Sequence, residues 1–362
     1  MEYRPYGKTD AKVSVLGFGA MRFAHPEDTE DSAATVLHAF EKGVNYFDTA
    51  PGYCEDQSEI IIGRAVVEMI KSGRPFYVST KSGGKTAGDV RRDLETSLRR
   101  LGLETIDFYH CWCVMTLEDW RNRLSGGAVR EILKARDEGL IRHSVVSTHL
   151  PGPEIHHLLE DGYFEGVTLG YSAINFIYRE AGIRAAADRG LGVTVMNPLG
   201  GGIIPQNEET FSFIKTNPDQ SMVEAGLQFL KAQPGISTLI AGFRNRADVD
   251  DAVRAVGQDA PYPAGHMESL RRKLRDHFDR LCTVCTYCRD CPEGIEVWKY
   301  MEAANYFMIR ASDTPFDRLK WHWDKKIDEL DRCTQCRLCE EVCTQRLPIL
   351  ERFGQLRTGK PG

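Results

Sequence analysis

The chain has 362 residues, 42% of them hydrophobic, with a formal net charge of −6. That length exceeds one typical domain and suits a barrel of about 250 residues plus an appendage of about 100. Mild acidity speaks against a nucleic-acid or membrane-surface partner. MEYRPYGKTD holds no apolar leader and no long apolar run follows, so the chain reads as cytoplasmic.

From Val13 to about Gly257, short apolar runs alternate with amphipathic stretches. The expected strands are VLGFGA (15–20), VNYFDT (44–49), FYVSTK (76–81), TIDFYHCW (105–112), RHSVVST (142–148), GVTLGY (166–171), GVTVMN (192–197) and STLIAG (237–242). Helical patterns such as DSAATVLHAFEKG, IIIGRAVVEMIKSG, DVRRDLETSLRRLG and GAVREILKARDEG lie between them. They close on Gly43, Gly73, Gly102 and Gly139, residues suited to a left-handed C-cap. Apolar strands separated by helices imply a parallel sheet buried on both faces. Eight such units in a row predict closure into a (β/α)8 TIM barrel; the open doubly wound rival lacks a GxGxxG after its first strand. QDAPYPAG (258–265) reads as a linker, so the expected domains are 1–262 and 263–362. A charged helix, HMESLRRKLRDHFDRL, follows, then two cysteine clusters separated by a helical stretch at 296–330.

Eight of the eleven cysteines lie in those clusters; Cys54, Cys111 and Cys113 are the others. Cysteines at every third residue in a chain without a secretion signal argue against a disulfide framework and for a reducing compartment. The first cluster is Cys282-x2-Cys285-x2-Cys288-x2-Cys291-Pro292 and the second Cys333-x2-Cys336-x2-Cys339-x3-Cys343. Thiolates three residues apart on a tight turn can grip successive irons of one cubane, and the distant fourth can serve that cubane or its twin. Structural zinc takes two separated CxxC pairs, which would leave the third and fourth thiols of each run surplus. The pairing of two-cluster ferredoxins, carried over, puts Cys282, Cys285, Cys288 and Cys343 on one 4Fe–4S cluster, with Cys333, Cys336, Cys339 and Cys291 on the other. The x2 spacing before Cys291, and Thr344 where a proline commonly follows, depart from that pattern. Either electron transfer or a structural role suits such clusters.

In a barrel, chemistry belongs at the C-terminal ends of the strands. Asp48 ends the second expected strand, Tyr53 follows in the loop, Lys81 ends the third and His110 lies in the fourth. A phenol is a poor acid at its ordinary pKa near 10. A neighbouring Lys81 ammonium, held by Asp48, would favour the phenolate and lower that value. Tyr53 would then protonate a carbonyl oxygen while hydride reaches the carbon.

FDTAPGY with STK downstream resembles the aldo-keto reductase family, whose members use an Asp, Tyr, Lys and His tetrad. DRGLGVTVMNPLGGG and STLIAGFRNRADVDDAV look like its seventh- and eighth-strand signatures, so the likeness covers residues 1 to about 257. CTVCTYCRDCPEGI followed by CTQCRLCEEVC is similar to the subgroup with a small, mostly helical, ferredoxin-like C-terminal domain carrying two 4Fe–4S clusters. The resemblance implies a reductase of aldehydes or ketones using NADPH or NADH, with a small-molecule carbonyl substrate and room for a redox partner protein. One position departs: the tetrad histidine usually falls five residues after the strand aspartate, which from Asp107 is Trp112, whereas His110 comes two residues earlier. Alternation points both the same way, about 6.6 Å apart. Either His110 serves from deeper in the site or Trp112 replaces the histidine and walls the pocket.

By the same resemblance, Gly19, Ala20 and Met21 line the nicotinamide end and Ser147 meets the carboxamide. Met196 takes a position where many members stack an aromatic. Asn197, Pro198, Leu199, Gly200, Gly201 and Gly202 pass beneath the pyrophosphate, since glycines let backbone N–H groups approach phosphate. Gly242, Arg244 and Arg246 sit where relatives bind the adenosine phosphate. The two arginines suit a 2′-phosphate, though Asp248, Asp250 and Asp251 crowd the same stretch. Loops 22–30, 112–125 and 203–220 would set specificity, with Phe23, Trp112 and Trp120 as candidate pocket walls. Two other classes compete: an iron–sulfur electron carrier on a catalytically degenerate barrel, and a zinc-stabilised interaction module.

Overall fold

A computed structural model describes residues 1–258, 262–274, 280–309 and 314–360. Residues 259–261 of the expected linker, 275–279 of the expected charged helix and 310–313 of the helical stretch lie outside the described residues.

Two three-residue strands open the chain, β1 (Tyr3–Pro5) and β2 (Lys12–Ser14), paired antiparallel. They were not expected, because three residues are too few to show a period. Between them Tyr6 is wholly buried, its hydroxyl 3.2 Å from Thr194 Oγ1 and its ring 4.5 Å from that of Phe108. Gly192 exists to admit that ring, since a Cβ there would lie 2.2 Å from it.

The eight expected strands all form: β3 (Leu16–Gly19), β4 (Tyr46–Asp48), β5 (Tyr77–Ser82), β6 (Ile106–Val114), β7 (Ile141–Thr148), β8 (Gly166–Gly170), β9 (Gly192–Met196) and β10 (Thr238–Gly242). They are parallel neighbours in chain order, and β10 pairs with β3 to close the barrel. Phe18, Phe47, Val78, Phe108, Val145, Val167 and Val193 are fully buried, which is why these strands read as apolar runs rather than alternating ones.

Helices α1 (Thr29–Glu41), α2 (Ser58–Ser72), α3 (Ala87–Leu101), α4 (Leu117–Ser125), α5 (Ala128–Asp137), α6 (Gly152–Leu159) and α7 (Phe176–Asp188) fill the connections. α3 shows the local logic. Thr86 caps its first turn by accepting from the Asp89 N–H, Val90, Leu94, Ser97 and Leu101 face the barrel, and Gly102 ends it left-handed. The single turns α8 (Ile203–Gln206) and α9 (Glu208–Phe211) precede α10 (Met222–Lys231) and α11 (Arg246–Gly257).

The chain divides into two compact units. One is Met1–Ser172, Phe176–Pro198 and Val223–Tyr262; the other is Ala173–Asn175, Leu199–Met222 and Pro263–Gly362. The second unit holds α12 (Ala264–Leu274), α13 (Val297–Ala304), α14 (Pro315–Asp317), α15 (Leu338–Glu341) and α16 (Ile349–Thr358). Its core joins Ile295, Tyr300, Met301, Leu330, Ile349 and Phe353 to Cys282, with five further cysteines packed against it. Among the described residues no helix is long and apolar enough to cross a membrane.

Candidate active site and cysteine centre

β4 and β5 pair in register, with Asp48 opposite Ser79. Lys81 lies two residues beyond Ser79, so both side chains enter the barrel interior. The Lys81 ammonium donates to both Asp48 carboxylate oxygens at 2.7 Å and to the Thr49 carbonyl at 2.7 Å, using all three of its protons. Lys81 and Asp48 are each 2% exposed. The ammonium stands 5.4 Å from the centre of the Tyr53 ring.

The sequence reading expected Lys81 to lower the Tyr53 pKa. The structure reverses the direction. Loss of water around the phenol pushes it well above its ordinary range, the negative charge of Asp48 adds to this, and the Arg22 cation opposes it weakly. Lys81 has spent its protons on Asp48 and Thr49, so the pair meets the phenol as a nearly neutral unit. Burial also lowers the Lys81 pKa, with Asp48 opposing. Tyr53 opens a strained turn: Cys54, Glu55 and Asp56 are all left-handed, with φ of 52°, 55° and 69°. Three such residues in succession are costly without glycine, and strain of this kind gathers at functional sites.

His110 pairs with Lys81 across β5 and β6 but is fully buried below the rim. Ser79 Oγ donates to Asp48 at 2.9 Å and lies 2.8 Å from His110 Nε2, while Thr168 Oγ1 is 3.4 Å from His110 Nδ1. One tautomer satisfies all of them, with Nε2–H donating to Ser79 and Nδ1 accepting from Thr168. Burial, then the Lys81 charge, lowers the His110 pKa well below its usual value, so the ring is neutral. Of the two alternatives the sequence left for this position, the geometry has His110 within the site, reaching Asp48 through Ser79. Trp112 is the residue beside Tyr53, its ring edge-on at 5.7 Å. The pairing of β6 slips between Cys111 and Val114, and Cys113 is left-handed at φ 62°, which sequence alternation cannot reveal.

Sequence reasoning passed over Ser79 and Arg22. Ser79 was findable, being two residues from Lys81 on one strand and therefore on its face. Arg22, whose stem packs where a Gly242 side chain would stand, carried no such signal. Trp120 is buried, its ring against those of Tyr163 and Phe164.

Gly19 lies between Asp48 of β4 and Gly242 of β10. The Ala20 N–H donates to the Asp48 carbonyl at 2.8 Å, and its own carbonyl accepts the Ser58 hydroxyl at 2.5 Å. Met21 follows, half-buried, and Ser147 is buried opposite Thr168. Met196 ends β9 and Asn197 turns left-handed, φ 55°, before Pro198. Leu199 to Gly202 belong to the second unit, where Gly200, Gly201 and Gly202 all have positive φ. A Cβ on Gly201 would fall 2.0 Å from the Thr283 carbonyl oxygen, so only glycine allows this loop to lie against the first cysteine turn. Arg244 chelates Asp248 and Arg246 meets Asp31 at 3.2 Å; both arginines are exposed.

Cys282, Cys285, Cys288 and Cys343 line one pocket. Burial pushes the Cys282 thiol up, and the neighbouring Cys285, Cys288 and Cys343 push it further; Cys288 is raised to about 12. Such crowded thiols become thiolates only beside compensating cationic metal. Among the described residues no three His, Cys, Asp or Glu side chains close on one point as a lone metal ion requires. Four thiols lining one pocket, three of them at three-residue spacing on a tight turn, form a donor set of the kind that fits a cubane. Of the other set, Cys333 bears on Cys339, Cys291 is half-buried and Cys336 is exposed. Both turns share one backbone pattern. Val284 and Gln335, just before a cysteine, and Thr286 and Arg337, just after, are left-handed, as are Gly294 and Arg346 three residues beyond Cys291 and Cys343. Alternating left- and right-handed residues aim successive N–H groups into a concavity suited to an anion or iron–sulfur core.

A closed eight-stranded barrel with a cysteine-lined unit after it defines the class: a TIM-barrel chain with an iron–sulfur appendage. Residues 15–274 match the model of the aldo/keto reductase family and residues 281–348 that of a 4Fe-4S dicluster domain; the chain belongs to the aldo/keto reductase family of oxidoreductases. It is 26% identical over 289 residues to L-galactose dehydrogenase of Arabidopsis thaliana, spanning 71% of this chain and 88% of that one. It is 25% identical over 235 residues to the NADH-specific methylglyoxal reductase of Escherichia coli (strain K12), spanning 56% and 69%. The holo form of aldo-keto reductase AKR11C1 from Bacillus halodurans shares the fold, with TM-score 0.66 and 23% identity over 75% of this chain and 96% of that one.

Proposed function

We propose that the chain reduces a small aldehyde or ketone, or oxidises the alcohol, with Tyr53 as general acid assisted by Lys81 and Asp48. The observation that carries this reading is the buried Lys81–Asp48 pair set 5.4 Å from the Tyr53 ring at the C-terminal ends of β4 and β5. A nicotinamide dinucleotide would supply the hydride, with Gly19, Ala20, Met21, Ser147, Met196, Asn197 and Pro198 as its candidate contacts on the barrel unit. Desolvation keeps the Tyr53 hydroxyl protonated at neutral pH, so the acid form is resident when substrate arrives. As the proton passes from Tyr53 Oη to the carbonyl oxygen, Lys81 neutralises Asp48, so no uncompensated carboxylate charge stands against the forming phenolate. His110, acting through Ser79, holds the Asp48 carboxylate in place; it is a positioning residue.

NADPH is the dinucleotide we favour over NADH. Arg244 and Arg246 are exposed, so exchanging their aspartate partners for a 2′-phosphate costs little. Cys282, Cys285, Cys288 and Cys343 would hold one 4Fe–4S cluster and Cys291, Cys333, Cys336 and Cys339 a second, supplying one-electron chemistry or cross-linking their unit. The test is NADPH oxidation by anaerobically purified protein offered aldehydes and ketones, beside Tyr53→Phe and Arg246→Ala. Full activity in Tyr53→Phe would remove the proposed acid; a KM for NADPH unchanged in Arg246→Ala would remove the phosphate contact. Trp112 against Tyr53 favours a second reading, an electron carrier on an inactive barrel, which absence of nicotinamide binding by calorimetry would support.

A further inference from the structure

Three threonines, Thr283, Thr286 and Thr344, line the pocket formed by Cys282, Cys285, Cys288 and Cys343, and Thr283 and Thr344 are buried. Thr344 is 2% exposed, and its hydroxyl donates to Cys285 Sγ at 3.3 Å. The Gln345 side-chain amide lies 3.5 Å behind, donating to the same hydroxyl oxygen, which leaves the Thr344 proton directed at sulfur. Thr283 is 4% exposed, and its hydroxyl finds no hydrogen-bond partner among the described residues. A buried hydroxyl without a partner is costly, and this one belongs to a residue lining the cysteine cavity. The Leu347 N–H adds a third donor, to Cys343 Sγ at 3.3 Å.

The second set of cysteines differs at the matching place. Cys343 is followed by Thr344, but Cys291 is followed by Pro292, which has neither a hydroxyl nor an N–H. Cys336 is exposed where its counterpart Cys285 is half-buried, and Thr334, the counterpart of Thr283, is exposed rather than buried. We infer that Thr344 and Thr283 donate their hydroxyls to sulfur of the cluster held by Cys282, Cys285, Cys288 and Cys343, and so set its reduction potential independently of its twin. This rests on the reading that the unit carries 4Fe–4S clusters. Reduction places one more negative charge on an anionic core, and burial away from water disfavours that charge. Donors to sulfur stabilise the reduced core and raise the potential. The hydroxyls thereby offset the burial and keep the inner cluster reducible.

The test uses the full chain with clusters assembled anaerobically, iron and acid-labile sulfide counted, and each cluster titrated by electron paramagnetic resonance. Thr344→Val keeps the shape and loses the proton. It should cut the reduced-to-oxidised ratio of one cluster about tenfold at fixed potential, a downward shift of about 59 mV for one electron, and leave the other unmoved. Thr283→Val should shift the same cluster in the same direction, and Thr344→Ser should restore the original value. In the unaltered protein, deuterium exchange should move the iron–sulfur stretching frequencies of that cluster. Thr344→Ser behaving like valine, both clusters shifting alike, or full metal content with no shift overturns the inference. Should Thr344→Val fail to assemble, Thr283→Val and the deuterium effect decide it alone. Unaltered protein lacking iron and sulfide removes the cluster reading itself, and the inference with it.

Discussion

In the barrel, Phe18, Phe47, Phe108 and Val167 are buried on strands that hydrogen-bond to one another around a closed ring. In the second unit, Cys282 sits within the apolar core, and Cys288, Cys291, Cys333, Cys339 and Cys343 pack against it on irregular turns with left-handed residues such as Val284 and Gln335. The first core is made of carbon and backbone hydrogen bonds; the second gives much of its centre to sulfur. A thiol-rich core on strained turns gains its stability when metal bridges the turns, because binding energy then becomes folding energy. The two units should therefore respond differently to the same insults.

The largest difference should come from removing iron. Stripping the clusters with chelator under reductant should make residues 280–360 protease-sensitive and erase their cooperative unfolding, while the barrel keeps its far-ultraviolet signal and its own transition. Limited proteolysis with mass mapping reads this. Cluster-free protein that resisted cleavage throughout 280–360 would show that Tyr300, Met301 and Phe353 suffice as a core, and the contrast would break. Next in size, Tyr53→Phe should lower kcat/KM by about 10²- to 10⁴-fold, the usual worth of a positioned acid, or about 3–5 kcal/mol at 1.36 kcal/mol per decade. The visible cluster absorption should not change, since this insult falls on the barrel alone.

Asp48→Asn sharpens the comparison from the stability side. Lys81 and Asp48 have side chains 3% exposed, and removing one partner strands a buried ammonium. Breaking such a pair costs about 3–5 kcal/mol, read as a lower urea midpoint of the barrel transition at unchanged slope. A loss below about 1 kcal/mol, the size of an exposed pair, would mean that water reaches Lys81 once Asp48 is gone.

The barrel was legible from its residues because strands buried on both faces must be apolar, and apolar runs such as FYVST and GVTVM stand out between capped helices. Asp48 and Lys81 were legible for the same reason, as polar groups closing apolar runs. What escaped was decided by backbone or distance. The slip at Cys113 separates Trp112 from His110 in a way no alternation shows. The direction of the Tyr53 shift is set first by loss of water around the phenol and then by the Asp48 charge, and the burial of that ring is something only coordinates give. Leu199–Met222 joins the second unit through contacts with residues far along the chain, which local composition cannot carry. The cysteine runs were plain as ligands, yet Thr344 was noticed only as a missing proline, and its bond to Cys285 spans 59 residues.

The smallest effect concerns acid, and again the barrel unit should bear it. His149 is buried, and burial first, then the Arg179 charge, pushes its imidazole down to about 3; His110 is lowered by burial and Lys81. Unfolded, both take a proton near pH 6.5. Between that value and the folded one, the unfolded state binds more protons than the native state, so stability rises with pH. The contribution is complete above about pH 6.5 and drains away as pH falls toward 3. At pH 5.5 the loss from His149 is on the order of 1 kcal/mol, one pH unit below the unfolded value, and His110 adds to it in the same direction. Urea melts at pH 7.5 and 5.5 should show it in the barrel transition, and His149→Gln should remove roughly half, because an amide takes no proton in this range. A barrel transition equally stable at both pH values would mean that these imidazoles accept protons in the native state, and hence that water enters the interior beside Ser79 and Asp48.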